Sequence, residues 1–475
     1  MEIRKKVDQC IDELGILDYK GPAYLKNISH KIDDVACDME TRNNNITFSF
    51  NEYFDFPREP KAISSVVISL DNKTLYTDDL FLRQYPSPLI FTTSKVYTNI
   101  IDKSDSYFIR MMFKIDDSFR LDMYISDCKP SYIENMGYAF NLIQINTGEK
   151  FDLYVFQYND ENYLVLECQE KMTSIEFRKN AHAIMVSLGF ITGSFINSNR
   201  FIFYSNDQYF SKIENVDIVM QKKSIKNQFS PINSHVYGYK YFLDTKEFNS
   251  LLASSKNSKF LMTTDELAKL SNLSLNNVEI LGSILMILEG NSCSLDTMSC
   301  TLCVVLEALS GFISKEDEGK RCPIQNKTIW NKLRHDLCAQ LDNDYLHDES
   351  GVSIIRNRIK SNLNTPANAD KLTKPFDLLE ITLLSDDIDA IKQRNYALHG
   401  TFEKIDGVEM KNDPKIKELI KKCLKLNFLV SALLLRLCDF CGWIPTYAQY
   451  YENKASLTSD SLFRFVGKEN KSTSG

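Results

Sequence analysis

The spacing of apolar residues changes along this chain, and that change constrains the fold more than any other sequence feature. From about residue 45 to residue 245, apolar and polar residues alternate, as at Ile46, Phe48 and Phe50. From about residue 260, the apolar residues recur at helical spacing instead. Alternation is typical of half-buried antiparallel strands, and the wider spacing is typical of amphipathic helices. We therefore predict an α+β chain in which an N-terminal antiparallel β-rich domain precedes a C-terminal all-α bundle.

The helical half carries start and stop signals. Thr263-Thr264-Asp265-Glu266 fits a capping box, and an apolar face from Leu275 to Leu288 ends at Gly290. Further helices are predicted at about 295–313, 326–341, 351–362, 376–399 and 414–441. Within the β-rich half, the spacing over 179–193 predicts a helix as an exception.

These patterns predict four segments. Residues 1–40 are expected to be a helical segment, and residues 41–250 a β-rich domain built as one unit or as two small ones. Residues 260–447 are expected to form the helical bundle, and residues 452–475 a polar tail.

Composition excludes one class of nucleic-acid-binding protein. The formal charge of -7 argues against coating nucleic acid through bulk electrostatics, so any RNA contact must use a local basic patch. With 43% hydrophobic residues, the chain has enough apolar material for sizeable cores.

We expect a cytoplasmic protein with no membrane span. The first residues, Met1 to Lys6, lead into an amphipathic pattern that lacks the apolar core of a signal peptide. The run from Leu424 to Ile444 is interrupted by charged residues, and the run from Thr297 to Phe312 is short and contains Glu307. Both runs are predicted to be buried helices.

The twelve cysteines are predicted to be reduced thiols rather than a disulfide framework. Two pairs, Cys300-x2-Cys303 and Cys438-x2-Cys441, could together supply four thiolates to zinc. Each pair lies in a strongly apolar helical pattern, whereas structural zinc pairs usually lie on turns. We therefore predict no metal, with the zinc site as the alternative.

The residues that carry chemistry are concentrated in Arg394-Asn395-x3-His399-Gly400. Ser385 is a plausible N-cap of the preceding helix, three aspartates follow it closely, and Gly400 lies where a helix normally stops. Such a helix presents a guanidinium, a carboxamide and an imidazole near its carboxyl end.

Together with the long helix that follows, this motif resembles the HEPN superfamily, whose ribonuclease members carry Arg, a polar residue, about three variable residues and His. The resemblance covers about residues 265–445. A β-rich half joined to a HEPN-like bundle is most similar in architecture to the ApeA-type anti-phage proteins. The resemblance implies a metal-independent endoribonuclease without cofactors, a composite homodimeric site, and abortive infection through cleavage of RNA, possibly tRNA. It also implies that the β-rich domain receives a phage-derived trigger.

The chemistry of the three residues fits RNA cleavage. The ribose 2'-OH is the nucleophile, so the enzyme must move protons and stabilise a charged phosphorane. His399 is suited to general acid or base catalysis, Arg394 to two phosphate oxygens, and Asn395 to orienting either the imidazole or the phosphate. On an ideal helix Arg394 and His399 lie roughly 140° apart, which favours a two-fold dimer that combines two motifs.

Other residues have two interpretations each. Glu307 could support a motif residue by hydrogen bonding, or it could emerge at the surface. The stripe of Lys417, Lys421 and Lys425 could hold an RNA backbone, or it could be the solvated face of a helix. Arg394 and His399 could themselves be an ion-pair partner and a helix cap, which would leave a non-catalytic interaction or nucleotide-binding module.

Overall fold

The computed structural model describes part of the chain in detail. The described residues are 10, 19–27, 32–42, 45–50, 62–84, 89–116, 119–132, 139–158, 161–195, 199–220, 225–226, 229–232, 236–257, 259–315, 323–344, 349–361, 363–364, 368–392 and 414–468. The chain is α+β, as predicted, and forms two compact units. The first, here the β-rich unit, comprises Met1–Gly238 and Lys259–Ile284, and the second, the helical unit, comprises Tyr239–Ser258 and Leu285–Gly475.

Six antiparallel strands at the start of the β-rich unit close into a barrel. They are β1 (Lys20–Asn27), β2 (Ile32–Arg42), β3 (Asn45–Phe50), β4 (Ala62–Leu70), β5 (Lys73–Gln84) and β6 (Leu89–Thr93). The strand order is β4-β1-β2-β3-β6-β5, and a β4–β5 pairing closes the ring. Ile46, Phe48 and Phe50 point inward from β3, as their alternation predicted.

The helical segment predicted for residues 1–40 is wrong from Lys20 onward, where β1 and β2 are strands. Ala23 and Leu25 of β1 are buried, whereas Tyr24 and Lys26, which follow each of them, are exposed. This is the period of a half-buried strand, but it extends over only a few residues.

The sheet continues from the barrel through antiparallel strands. These are β7 (Lys95–Tyr97), β8 (Ser106–Ile115), β9 (Lys129–Tyr132), β10 (Ala139–Asn146), β11 (Lys150–Tyr158), β12 (Glu161–Cys168), β13 (Met172–Thr173), β15 (Arg200–Ser205) and β16 (Ile213–Val219). From β5 the order is β7-β16-β15-β8-β12-β11-β10-β9, and β13 pairs with β8. Two short strands, β14 (Ser194–Phe195) and β17 (Ile225–Lys226), pair separately.

Helix α1 (Ser174–Thr192) is the exception that the spacing over 179–193 predicted. A capping box between Thr173 and Glu176 begins it, and Gly193, with φ 66°, ends it in the left-handed conformation. Its buried face packs against the sheet and against the helix described next.

Helix α3 (Thr264–Asn276) starts with the predicted capping box but belongs to the β-rich unit, because it packs on α1 and β10. Ser274 Oγ lies 3.3 Å from Ser187 Oγ of α1. The domain boundary predicted at residue 260 is therefore wrong, since helical spacing does not reveal which unit a helix packs against.

The remaining helices are α2 (Thr245–Asn257), α4 (Val278–Gly290), α5 (Leu295–Ser314), α6 (Lys327–Asp344), α7 (Glu349–Ser361), α8 (Asn368–Leu378), α9 (Ser385–Lys392), α10 (Pro414–Leu437) and α11 (Ser459–Leu462). Helix α5 packs against α10 and α8 and forms the centre of the helical unit. Helices α3 and α4 diverge by 110°, and Val278 is exposed rather than part of an apolar face.

The single helix predicted at 376–399 is wrong, because α8 ends at Leu378 and α9 begins only at Ser385. Glu380 between them has φ 58°, a left-handed conformation that interrupts a right-handed helix. Arg436 Nε donates to the Leu379 carbonyl at 2.9 Å and satisfies a carbonyl freed by the break.

The part of the predicted polar tail that the structure describes, residues 452–468, contains regular secondary structure. Strand β19 (Phe463–Val466) pairs with β18 (Gly442–Pro445), and Leu462, Phe463 and Val466 are buried. The apolar run is only a few residues long, and the polar residues on both sides obscured it.

Among the described helices, α5 is the one that by itself is long and apolar enough to cross a membrane. Its Leu302, Leu306 and Leu309 are buried, and the helix packs against α8 and α10. Helices α3 and α4 meet the same criterion only as a pair, across their 110° bend.

Candidate functional site

The three predicted catalytic residues, Arg394, Asn395 and His399, lie outside the described residues, as does Gly400. The described chain resumes at Pro414. What the structure describes is the support on either side of the motif: α9, which ends two residues before Arg394, and α10.

Helix α9 is held at its amino end by Asp387, a carboxylate with no solvent exposure. The Leu384 backbone N–H donates to Asp387 Oδ2 at 2.8 Å, and Arg464 Nη1 donates to Oδ1 at 3.0 Å. Ser385, predicted as the N-cap, is instead the first helical residue. A buried carboxylate is tolerated only when paired, so these bonds fix the start of α9 firmly.

Arg464 connects α9 to two other elements. Its Nη2 donates to the Thr382 carbonyl at 2.8 Å, and its guanidinium lies 4.3 Å from the ring centroid of Phe428 on α10. Sequence reasoning missed Arg464 because it lies in the presumed tail, 77 residues from Asp387. The alternation of Phe463, Arg464 and Phe465 was the available signal.

Helices α9 and α10 contact each other through charged side chains. Asp386, in the first turn of α9, pairs with Lys421 and Lys425 of α10. Ala390, one turn later on α9, lines the same cavity as Glu418 of α10.

Two of the three lysines in the stripe that could hold RNA are paired with carboxylates. Lys421 Nζ lies 3.1 Å from Asp386 Oδ2, and Lys425 Nζ lies 3.6 Å from the same oxygen and 4.0 Å from Asp387 Oδ1. The hydrogen bond from Lys421 lowers the pKa of Asp386 and raises the pKa of the lysine. Lys425 is only 15% exposed, whereas Lys417 is exposed.

The stripe borders a cavity of about 230 Å³ between α9 and α10. Three carboxylates and three lysines line it, together with Ala390: Asp386, Asp389, Glu418, Lys421, Lys422 and Lys425. The six charges sum to zero, so the cavity has no net attraction for a phosphodiester while these pairs persist.

Glu307 and His335 are both exposed. Glu307 lies on an exposed turn of α5, and its role toward the motif stays a prediction because the motif lies outside the described residues. His335, on α6, has an 84% exposed side chain that lies 3.7 Å from Asp336. It is a solvated histidine.

The eleven described cysteines form no disulfide with one another. Burial raises the pKa of Cys423 to about 12, so this thiol is protonated at neutral pH. Cys438 Sγ donates to the Leu435 carbonyl, and Cys441 Sγ to the Lys468 carbonyl. Within the described part of the chain, no three His, Cys, Asp or Glu side chains are grouped to hold a metal ion.

Comparison of the chain with protein-family models, with curated proteins and with solved structures finds no match.

Proposed function

We propose that this chain is a metal-independent endoribonuclease of the HEPN type, with Arg394, Asn395 and His399 as its catalytic residues. The observation that carries the proposal is the position of this motif: it begins two residues after a helix that a buried ion pair, Asp387–Arg464, holds in place. A rigid support is what a catalytic constellation requires of the element beside it.

In the proposed reaction, the ribose 2'-OH attacks the adjacent phosphorus and the bond to the 5'-oxygen breaks. His399 accepts the 2'-OH proton or donates a proton to the leaving oxygen, Arg394 binds the non-bridging oxygens, and Asn395 orients the imidazole. The products are a 2',3'-cyclic phosphate and a 5'-hydroxyl. Because the substrate supplies its own nucleophile, this chemistry needs neither a metal nor a cofactor.

The site is proposed to be completed by a second copy of the chain. Arg394 and His399 lie roughly 140° apart on an ideal helix, so one helix presents them poorly to a single phosphate. A two-fold axis through the helical unit would bring two motifs together, so that each phosphate receives groups from both subunits.

By its resemblance in architecture to anti-phage proteins, we propose a defence role in the cytoplasm. In this role the β-rich unit senses a phage-derived trigger and releases cleavage of RNA, possibly tRNA. Lys417 is the residue of the predicted stripe best placed to contact an RNA backbone, because it is exposed.

The test is incubation of the purified full-length protein with labelled total RNA and with tRNA in the presence of a chelator. We expect fragments with cyclic phosphate ends, and loss of cleavage by at least about 100-fold in Arg394→Ala and in His399→Ala. Arg358→Ala and His335→Ala are matched controls, because these exposed residues of the same unit should leave cleavage unchanged.

Cleavage that survives both motif substitutions would show that other residues, or a contaminant, cut the RNA. Intact RNA at all protein concentrations, with folding retained, would favour the non-catalytic interaction module. A mixture of the two inactive variants tests the composite site, because subunit exchange pairs an intact Arg394 with an intact His399. Partial recovery of cleavage is expected.

A further inference from the structure

A row of polar side chains lies along the contact between α1 and the sheet of the β-rich unit. Ser174, Arg178 and His182 are spaced four residues apart and form one stripe of α1. Arg200 and Tyr204 lie on one face of β15, because side chains two and four residues apart in a strand point the same way.

The neighbouring strand contributes Asp217 to the same face. Asp217 of β16 pairs in register with Ile202, which lies midway between Arg200 and Tyr204 on β15. The stripe of α1 therefore faces these strand residues, and the two sets of side chains contact each other.

Asp217 is 2% exposed and is fully occupied by three donors. Arg178 Nη2 donates to Oδ2, Tyr204 OH donates to the same oxygen at 3.2 Å, and Asn215 Nδ2 donates to Oδ1 at 3.0 Å. Ser174 Oγ lies 2.9 Å from Tyr204 OH. This network suffices to attach α1 to the sheet.

Arg200 makes no hydrogen bond within that network. Its Nε is buried and has no hydrogen-bond partner among the described residues. Burial and the nearby positive charge of Arg178 lower the pKa of Arg200, which is the opposite of what an ion-paired arginine shows. His182 also interacts electrostatically with Arg200. Two guanidiniums thus depend on one carboxylate that already accepts three hydrogen bonds, and the imidazole of His182 lies near the second guanidinium.

This excess of positive charge is open to solvent. The Arg178 side chain is 36% exposed, and His182 is exposed. An anion that reached the row would supply acceptors to Arg200 and would relieve its repulsion with Arg178. A helix fastened to a sheet for stability alone needs no second arginine there.

We propose that Arg178, Arg200 and His182 bind the phosphate group of a small ligand, either a nucleotide or free phosphate. Guanidinium groups present planar sets of N–H donors that match phosphate oxygens, and the nearly dianionic phosphate exceeds a carboxylate in both charge and number of acceptors. The site lies in the β-rich unit and does not depend on ribonuclease activity.

The test is isothermal titration of the full-length protein with inorganic phosphate and with AMP, at constant ionic strength. We expect binding of at least one probe and a loss of more than about tenfold in affinity in Arg200→Gln. AMP binding at least about tenfold tighter than phosphate identifies a nucleotide, and equal affinities identify free phosphate. Arg120→Gln is the control, because Arg120 is an exposed arginine of the same unit, paired with Asp122.

Thermal unfolding without ligand separates this proposal from a structural role. If Arg200 serves binding, Arg200→Gln keeps or raises the unfolding temperature, because it removes a charge repelled by Arg178; a structural role predicts a decrease. Arg200→Lys retains the charge but not the fork, and it should also weaken binding. The proposal is overturned if neither probe binds or if both Arg200 variants bind normally.

Discussion

Two arginine clusters in the β-rich unit differ in how carboxylates balance their positive charge. Arg110 has no solvent exposure, and its Nε and Nη2 donate to Glu167 Oε2 at 2.8 and 2.6 Å. Tyr154 OH adds a bond of 3.3 Å to the same carboxylate, and the guanidinium lies 4.1 Å from the ring centroid of Phe210. This cluster of Arg110, Glu167, Tyr154 and Phe210, here called the sealed cluster, is buried and has one carboxylate for one guanidinium.

The row formed by Arg178, Arg200 and His182, here called the open row, contacts solvent and has more cations than carboxylates. The comparison teaches that burial of an arginine does not by itself indicate function. Matched charge and complete hydrogen bonding indicate a structural element, whereas surplus charge beside solvent indicates a binding site. The pKa directions agree, because Glu167 raises the pKa of Arg110 despite its burial, whereas the pKa of Arg200 is lowered.

The largest loss of stability is expected when the buried Arg110–Glu167 ion pair is broken. Glu167→Gln leaves a fully buried guanidinium without a counter-charge, and we expect the β-rich unit to lose about 3–5 kcal/mol of stability. Both tryptophans, Trp330 and Trp443, lie in the helical unit. Hydrogen exchange of peptides from β8 and β12 is therefore the appropriate measurement.

A surface pair provides the control for this substitution. Glu161 bonds to Lys114, and both side chains are about half exposed. Glu161→Gln should change the protection of β12 by less than about 1 kcal/mol, as is usual for exposed pairs. If the two variants behaved alike, the sealed cluster would not be a structural element.

A smaller effect is expected at the open row. Asp217→Asn removes the counter-charge of Arg178, but that side chain can still reach solvent, so we expect a loss of about 1–2 kcal/mol. Saturating phosphate should restore most of this stability, because the anion replaces the carboxylate. The measurement is hydrogen exchange of β15 and β16 with and without phosphate. Phosphate should not rescue Glu167→Gln, and rescue of both or of neither would remove the distinction between the clusters.

The periodicity of the sequence was sufficient to predict elements whose apolar pattern is long. The alternation at Ile46, Phe48 and Phe50, helix α1, the capping box of α3 and the long helix α10 all agree with the structure. The errors fall where the pattern is short or interrupted. The prediction is wrong for strands β1 and β2, where it gives a helix, for β19, where it gives a polar tail, and at Glu380, where it gives an unbroken helix.

The candidate sites were less predictable because they depend on long-range contacts. Asp387 reads in sequence as a first-turn charge that favours the helix dipole, yet it is buried because Arg464 reaches it from a distant strand. The row at Arg178 depends on strand register, which places Asp217 opposite Ile202. Neither relation can be inferred from local spacing.

The smallest effect is expected at Asp386, which lies at the surface, unlike the buried Asp217. Asp386 is 49% exposed and pairs with Lys421 and Lys425, so Asp386→Asn should destabilise the helical unit by less than about 1 kcal/mol at neutral pH. Tryptophan fluorescence during urea unfolding is suitable here, and Asp389→Asn, on the same helix, is the control.

The pH dependence of the stability difference between wild type and Asp386→Asn shows whether the effect comes from charge. The hydrogen bond from Lys421 lowers the folded-state pKa of Asp386 below its usual 3.8, so the charged form stabilises the fold above that value. The stability is lost as the pH falls through the folded-state pKa, and the difference between wild type and Asp386→Asn should therefore vanish in acid. A difference in stability that persists at acid pH would attribute the effect to packing rather than to charge.

Loss of the Asp386 carboxylate also frees Lys421 and Lys425 beside α9. The Asp386→Asn variant should therefore bind RNA more tightly than the wild type if the lysine stripe contacts the RNA backbone.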